Sequence, residues 1–373
     1  MNQSPTTFRI RAAAAGTALT ALLALSAALP APASAAARAS NAPARHQHDD
    51  EDLSWRLLPT GSTSHLRGLS AVSARVAWVG GYDGTVLRTV DGGRHWLDVS
   101  PAGAGTLQFR DVQAFDARHA VAMAAGVGTD SALYATGDGG RHWQLAYRNT
   151  DPAAFFDCMS FSDRKHGLVL SDPVDGRFRI LATRDGGRSW QVVNTTMPAA
   201  LPGEAAFAAG GECLTTLGRD AWFGTGGQSQ ARVFHSRDGG RNWTVSTTGI
   251  GSGPTAGVFA LAFRDRWHGI AAGGDFNTPT SAIDALARTR DGGTSWRLVP
   301  DAPNGYRSGL AWLAHRDTAL AVGISGSDVS YDGGRHWSQF DDGSFDTVSC
   351  TRDGACWASG ELGRVALLSR DDD

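Results

Sequence analysis

The chain has 373 residues, of which 42% are apolar, and 34 basic against 37 acidic side chains give a formal net charge of −3. This length and composition allow one large or two ordinary domains. The slightly negative charge argues against a broad nucleic-acid-binding surface or a polybasic membrane-binding surface.

The first 35 residues have the layout of a Sec-type export signal. Arg9 and Arg11 form a basic start, residues 12–29 are an Ala- and Leu-rich apolar run, and a small-residue stretch ends at Ala35. We expect cleavage after Ala35 and delivery to the periplasm or the outside of the cell. A retained membrane anchor is the alternative; no later segment has transmembrane length. Residues 36–52, rich in Pro, Ser and charge, predict a disordered leader.

One eight-residue motif recurs along the remaining chain. It reads Ser or Thr, any residue, Asp, Gly, Gly, two further residues and Trp, as in Thr89–Trp96. We call it the Asp box. Successive aspartates are separated by 47, 47, 53, 53 and 41 residues, the period of a four-stranded propeller blade. To these aspartates we assign a structural role: Asp91, Asp138, Asp185, Asp238, Asp291 and Asp332.

Each part of the box has a physical purpose. The carboxylate is expected to accept hydrogen bonds from its own turn, and the two glycines to supply positive φ angles. The Trp is expected to open the outermost strand and to pack between blades. In the first blade, alternating or β-branched segments predict strands over 66–72, 75–80, 85–89 and 95–100. No segment has a sustained 3.6-residue apolar period, so the fold is predicted to be all-β.

The two ends of the chain predict how the ring closes. Residues 365–371 are an Asp box broken off before its Trp, and residues 54–59 match residues 295–300, which begin with the box residues Ser295 and Trp296. The N-terminal strand should therefore complete the last blade, giving a seven-bladed β-propeller over residues 53–373 without an open sheet edge. Three tryptophans at one second-strand position are interpreted as inter-blade core rather than carbohydrate platforms: Trp78, Trp222 and Trp357.

Four cysteines in an exported chain permit disulfides. Cys350 and Cys356 flank a short turn of the last blade, where a cross-hairpin bridge fits. Cys158 and Cys213 fall on the inner strands of neighbouring blades, where either a bridge or two buried free thiols is consistent with the sequence. No Cys or His spacing predicts a zinc site, and we expect neither a metal nor a cofactor, although Ca²⁺ in the acidic loops is an alternative.

The residues most relevant to function are predicted at the central mouth opposite the Asp boxes. Arg67, Arg110, Asp157 and Asp346 occupy equivalent positions in their blades, and Arg307 lies two residues before that position. Glu204 lies in a loop just upstream, and Tyr306, next to Arg307, is also expected at this face. The arginines could clamp a carboxylate or an acidic protein segment by bidentate hydrogen bonds. Alternatively, they pair with Asp157, Glu204 and Asp346 in an internal network.

Over Trp55–Asp373 the repeats resemble the photosystem II stability/assembly factor family of Asp-box propellers. Members of that family are lumenal or periplasmic scaffolds that bind assembling membrane-protein subunits and are not known as enzymes. The resemblance therefore implies a non-catalytic scaffold for a protein or acidic ligand, in a photosynthetic or non-photosynthetic host, and we expect a monomer. It also implies a patch of Arg on one face, to which we map Arg67, Arg110 and Arg307.

The alternative is a glycoside hydrolase of the sialidase type, which also carries Asp boxes. Such an enzyme would use the three arginines for a substrate carboxylate, Tyr306 as nucleophile, Glu204 as its activator and Asp83 as acid/base. The F/Y-R-I-P segment of sialidases is absent, and Tyr306 directly precedes Arg307, so on a strand the two side chains would point to opposite faces. No nucleotide, haem or flavin motif supports an oxidoreductase.

Overall fold

The computed structural model describes residues 53–281, 283–303, 305–313 and 317–370. The predicted export signal and leader lie outside the described residues. Within them, the chain forms seven antiparallel four-stranded sheets and a single-turn 3₁₀ helix at Gly128–Asp130. No helix of the described part is long and apolar enough to cross a bilayer.

The strands follow one another from the centre of each blade outwards, apart from β1, which belongs to the last blade. In chain order they are β1 (Leu53–Pro59); β2 to β5 in blade 1 (Leu66–Ala71, Ala77–Gly81, Val86–Thr89, Leu97–Asp98); β6 to β9 in blade 2 (Gln108–Ala114, Ala120–Ala125, Ala132–Thr136, Gln144–Arg148); β10 to β13 in blade 3 (Phe156–Phe161, Gly167–Val174, Arg177–Thr183, Gln191–Val192); β14 to β17 in blade 4 (Leu214–Leu217, Asp220–Gly224, Arg232–Ser236, Trp243–Thr247); β18 to β21 in blade 5 (Ala256–Phe263, Gly269–Asp275, Leu286–Thr289, Arg297–Leu298); β22 to β25 in blade 6 (Gly309–Trp312, Ala319–Gly323, Gly326–Ser330, Ser338–Asp341); and β26 to β28 in blade 7 (Thr347–Cys350, Cys356–Ser359, Arg364–Arg370).

The seven sheets form a closed ring. Each inner strand contacts the inner strands of the two neighbouring blades, and β26 of blade 7 contacts β2 of blade 1. Strand β1 pairs antiparallel with β28 over its whole length, from Leu53 opposite Arg370 to Pro59 opposite Arg364. The predicted seven-bladed propeller, closed by its N-terminal strand, is therefore confirmed.

The Asp boxes form one repeated turn between the third and outer strands. In the first box, the hydroxyl of Thr89 donates to Asp91 Oδ1, and the same oxygen accepts the backbone N–H of His95 at 3.0 Å. Hydrogen bonds from the side chain and backbone of His95 lower the pKa of Asp91 to about 2. Gly92 and Gly93 have φ angles of 79° and 78°, a region that costs residues with a Cβ. The box is thus held by bonds within its own turn.

Large aromatic side chains fill the spaces between blades. Trp78 is fully buried, and Trp143 from the next blade packs edge-on against it with ring centroids 6.2 Å apart. Trp222 and Trp357 are also fully buried. Trp222 lies between parallel rings, His235 at 4.7 Å and Phe263 at 3.8 Å. Burial on both faces explains why these strands are almost continuously apolar.

Two disulfides are present. Cys158 on β10 joins Cys213, the residue before β14, and so links blades 3 and 4. Cys350 and Cys356 join neighbouring strands of blade 7, where they face each other in the β26–β27 register.

Candidate central binding site

The residues at the central mouth project from breaks in the inner strands. The pairing of inner with second strand skips one residue in blades 1, 2, 3 and 5, and the skipped residues are Arg67, Arg110, Asp157 and Phe259. Such β-bulges re-aim a side chain away from the regular alternation of the strand. Arg110 interacts electrostatically with Arg67, Asp157 and Asp346, which brings the four charged groups into one cluster.

Arg67 and Arg110 both lie close to one aromatic ring. Their guanidinium carbons are 5.7 Å and 5.5 Å from the ring centroid of Tyr82, in the loop that follows the second strand of blade 1. Both distances are within cation–π range. All three side chains are half-buried, so each keeps surface open to a ligand.

The guanidinium of Arg110 is held by neutral acceptors. Its Nε and Nη2 donate to Gln108 Oε1 at 3.0 Å and 2.6 Å, and its Nη1 donates to the carbonyl of Ala208 at 3.2 Å. Burial, with a smaller effect of Arg67, lowers the pKa of Arg110, but a guanidinium remains protonated. Among the described residues no carboxylate lies within 4 Å of it, so its positive charge is available to a ligand.

Asp346 neutralises only part of the charge of Arg67. Its Oδ2 is 2.7 Å from His65 Nε2, whereas its Oδ1 is 3.8 Å from Arg67 Nε. Arg67 Nε lies 3.3 Å from the same His65 nitrogen, which cannot accept from it while it donates to Asp346. The mouth therefore contains a His–Asp pair with Arg67 at its edge, and Asp346 is shared between two basic side chains.

Blade 3 contributes two carboxyl groups to the mouth, those of Asp157 and Asp172. Asp157 is only 1% exposed, and within the described residues its Oδ2 has no hydrogen-bond partner. Burial and the neighbouring Asp172 raise the pKa of Asp157 well above its usual range. Burial also raises the pKa of Asp172 to about 6, although its Oδ1 accepts the backbone N–H of Ala206. Positive charge from blades 1 and 2 thus faces two carboxyl groups of blade 3.

A segment of blade 4 crosses the central channel below this cluster. We call residues 205–212 the plug. It contacts blade 2 through Ala208 and blade 3 through Ala206, as described above. The ring of Phe207 stacks on Phe259 of blade 5 at 4.1 Å, and the hydroxyl of Thr347 in blade 7 donates to Glu212 Oε1. The plug therefore ties four other blades together across the ring.

Two buried carboxyl groups interact electrostatically at the end of the plug, those of Asp111 in blade 2 and Glu212. Asp111 Oδ2 accepts the backbone N–H of Met159 at 2.6 Å, and a Cβ added to Gly211 would lie 3.0 Å from the same carboxyl group. Burial raises the pKa of Asp111 to about 8 and that of Glu212 well above its usual range, and the charge of Asp111 adds to the shift at Glu212. Within the described residues Glu212 Oε2 lacks a partner, so the pair is stable only with at least one proton bound.

Three of the predicted mouth residues are buried, and one of them, Tyr306, still interacts electrostatically with Arg67 and Asp346. Arg307 is 1% exposed, and its Nε donates to Asp328 Oδ2 at 2.7 Å. Glu204 is 3% exposed and accepts the Nε of Arg232 at 2.8 Å, also inside the protein. The internal-network alternative describes these two side chains, with partners other than those expected. Tyr306 is 4% exposed, and burial raises its pKa.

The geometry does not assemble the groups that a sialidase would need. Both carboxylate oxygens of Glu204 are occupied, by Arg232 and Thr225 at one and by Arg232 and the N–H of Leu201 at the other. The ring of Tyr306 packs edge-on against Phe259. The predicted nucleophile is thus buried among aromatic groups, while its predicted activator belongs to a different ion pair.

The comparison with solved structures shows the fold. YCF48 bound to D1 peptide has a TM-score of 0.63 and 15% identity, over 86% of this chain and 97% of that one. YCF48 from Cyanidioschyzon merolae has a TM-score of 0.57 and 15% identity, over 86% and 99%. RRP9 WD40 repeats reach 0.60 and 12%, over 86% and 98%. No protein-family model matches the chain, and no curated protein matches it. At such identities the likeness establishes a shared propeller fold, which hosts many functions.

Among the described residues, no group of three or more His, Cys, Asp or Glu side chains lies close enough to hold a metal ion. What the mouth offers instead is two arginines on an aromatic ring, a His–Asp pair and two carboxyl groups. Such an arrangement can bind and orient a charged ligand.

Proposed function

We propose that this protein is an exported, non-catalytic scaffold that binds an acidic segment of a protein partner at its central mouth. The carrying observation is that the guanidinium groups of Arg67 and Arg110 both lie within cation–π distance of Tyr82. Arg110 is held by neutral oxygens, and Arg67 shares Asp346 with His65. Two half-exposed guanidinium groups with incomplete neutralisation favour a ligand that carries carboxylates.

The fold likeness is consistent with this proposal. A structure of the same architecture is YCF48 bound to D1 peptide, so a propeller of this shape can accept a peptide. The apolar ring of Tyr82 would pack against the backbone or side chain next to the bound carboxylate. The expected export to the periplasm or exterior places such a partner outside the cytoplasm.

The test compares two double variants in blades 1 and 2. R67Q/R110Q removes the charge at the mouth, whereas R75Q/R118Q removes the same charge from exposed turns on the Asp-box face of the same blades. We expect capture of partners from a periplasmic extract, and binding of an Asp-rich peptide, to be lost in the first variant and retained in the second. Equal capture by both variants contradicts the assignment of the mouth.

A further inference from the structure

A crevice of about 650 Å³ opens between blades 2 and 3 on the Asp-box face, away from the central mouth. It lies beside the third Asp box. Four basic side chains line it, together with a single carboxylate, Asp185: Arg164, Lys165, Arg184 and Arg188. Lys165 is the only lysine of the chain.

Most of this positive charge is not neutralised within the protein. Arg164 Nη2 is 2.5 Å from Asp116 Oδ2, and its Nη1 donates to the carbonyl of Phe115. For Lys165, Arg184 and Arg188, by contrast, no carboxylate of the described residues lies within 4 Å. Three cationic groups therefore face one crevice without an ion pair.

The lining carboxylate makes no ion pair with them, because Asp185 is engaged in its own turn. Its Oδ1 accepts the hydroxyl of Thr183 and the N–H of Ser189, and its Oδ2 accepts the hydroxyl of Ser189 at 2.6 Å. These hydrogen bonds hold the carboxylate within its own turn, and its single negative charge is set against four cationic side chains.

The repeat supplies a comparison at the same place in the next blade. The crevice between blades 3 and 4 has a similar volume, about 610 Å³, and is lined by equivalent box and turn residues. Its basic and acidic side chains are equal in number: Arg184, Arg219 and Arg241 against Asp163, Asp220 and Asp238. Elsewhere beside the Asp boxes arginines outnumber carboxylates by three to one at the first box and by four to two at the sixth. Of these four crevices, the one between blades 2 and 3 has the largest excess of positive charge.

We propose that the crevice between blades 2 and 3 is a second binding site, for a ligand that carries a phosphoryl group. A phosphate monoester carries about two negative charges and three acceptor oxygens. One such group can satisfy three cations at once, whereas a single carboxylate has one charge and two oxygens. Arg184 and Arg188 would each bind two oxygens in a fork, and Lys165 would act as a point charge.

The test measures binding of phenyl phosphate, a soluble monoester, to the chain without its predicted signal. The crevice variant is K165Q/R188Q. The matched control R219Q/R241Q makes the same charge change at the equivalent turn and box positions of blade 4. All four side chains are exposed, so both variants should keep the melting temperature of the parent. We expect affinity to fall at least tenfold in the crevice variant and less than twofold in the control.

Vesicles distinguish the two sources of a phosphoryl group. Crevice-dependent binding to vesicles of phosphatidylcholine with phosphatidic acid, but not of phosphatidylcholine alone, assigns the site to a lipid headgroup. Binding of phenyl phosphate without vesicle binding assigns it to a free ester. R67Q/R110Q should bind as the parent does, which separates this site from the central mouth.

Three results would overturn the proposal. The first is an equal loss of phenyl phosphate affinity in K165Q/R188Q and in the control R219Q/R241Q, because such a loss would reflect overall charge alone. The second is the absence of phosphoryl binding in either form. The third is crevice-dependent binding of an Asp-rich peptide that phenyl phosphate does not displace, since the site would then recognise an acidic protein segment.

Discussion

The indole Nε1 of Trp55 donates a 2.9 Å hydrogen bond to the hydroxyl of Ser327, so the first strand of the chain is anchored to blade 6 as well as to its own blade. The indole is 8% exposed and lies against Phe345 and Phe340, with ring centroids 5.4 Å and 5.9 Å away. Trp55 thus replaces the box Trp that the last blade lacks.

Replacement of Trp55 by Ala should destabilise the propeller by about 3–5 kcal/mol, the usual cost of removing a buried aromatic side chain. Urea unfolding measures the change. Leu57 on the same strand is 59% exposed, so L57A should change the free energy of unfolding by less than about 0.5 kcal/mol. Similar values for the two variants would mean that the closing strand contributes little to stability.

The two disulfides should differ in what their removal costs. Cys158 and Cys213 are separated by 55 residues, and Cys350 and Cys356 by 6. Because a longer closed loop removes more entropy from the unfolded chain, C158A/C213A should cost about 4 kcal/mol and C350A/C356A about 2 kcal/mol. Chemical denaturation of the oxidised variants measures both. The opposite order would show that strain or residual structure outweighs loop entropy.

Stability should decrease as pH rises from about 4 to about 8. The folded state holds a proton on Asp111, whose pKa is about 8, and the unfolded state releases it near the ordinary value of about 3.9. The folded state therefore binds more protons in this range, and a rise in pH favours unfolding. Urea unfolding midpoints at pH 5 and pH 8 measure the slope of stability against pH. Glu212, Asp157 and Asp172 act in the same direction.

The variant D111N should reduce this slope, because an amide does not titrate and can still accept the N–H of Met159. The exposed Asp83 provides the control, since D83N should keep the slope of the parent. A D111N variant with an unchanged slope would place the proton elsewhere in the channel.

Replacing Arg232 alone should lower the stability of the protein more than replacing Arg232 and Glu204 together by uncharged residues. In R232M the Glu204 carboxylate remains buried without its cation, which costs about 3–5 kcal/mol. The double variant E204Q/R232M leaves no buried charge and should regain a large part of that loss. Thermal and urea unfolding measure both. The double variant should bind partners as the parent does, since the pair lies inside the protein; a selective loss of binding would instead implicate Glu204 in the site.

The blade count and the equivalence of Arg67, Arg110 and Asp157 could be predicted because the repeat gives every blade an internal standard. Aligning the blades places these three residues at one equivalent position of the inner strand, and the structure shows a β-bulge at that position in each blade. The same reasoning fails for Arg307, which precedes the strand Gly309–Trp312. Side chains alternate between faces only within a strand, and Arg307 lies outside this one. The backbone two residues earlier also departs from an extended conformation, since Gly305 has a φ of 128°.

The partners of the buried charged side chains were not predictable from the sequence. Arg232 lies in an apolar third strand, and nothing in its neighbourhood indicates Glu204 as its partner. The sequence analysis did not identify His65 and Tyr82 as mouth residues, although His65 lies two residues before Arg67 and Tyr82 directly precedes Asp83. The plug had one sequence signal, the increase of the box interval from 47 to 53 residues at blade 4. That increase indicates inserted residues but not their path across the channel.

The pairing of β1 with β28 imposes an order on folding. Of the 28 described strands, Leu53–Pro59 is synthesised first and its partner Arg364–Arg370 is synthesised last. Until then the apolar residues of the first strand have no sheet to join, and six blades can stack without a closed ring. Contacts between the ends of a chain form slowly, and unpaired strands are prone to aggregate. A polypeptide truncated before Arg364 would therefore lack an intact last blade, and its first strand would have no partner strand to close the ring.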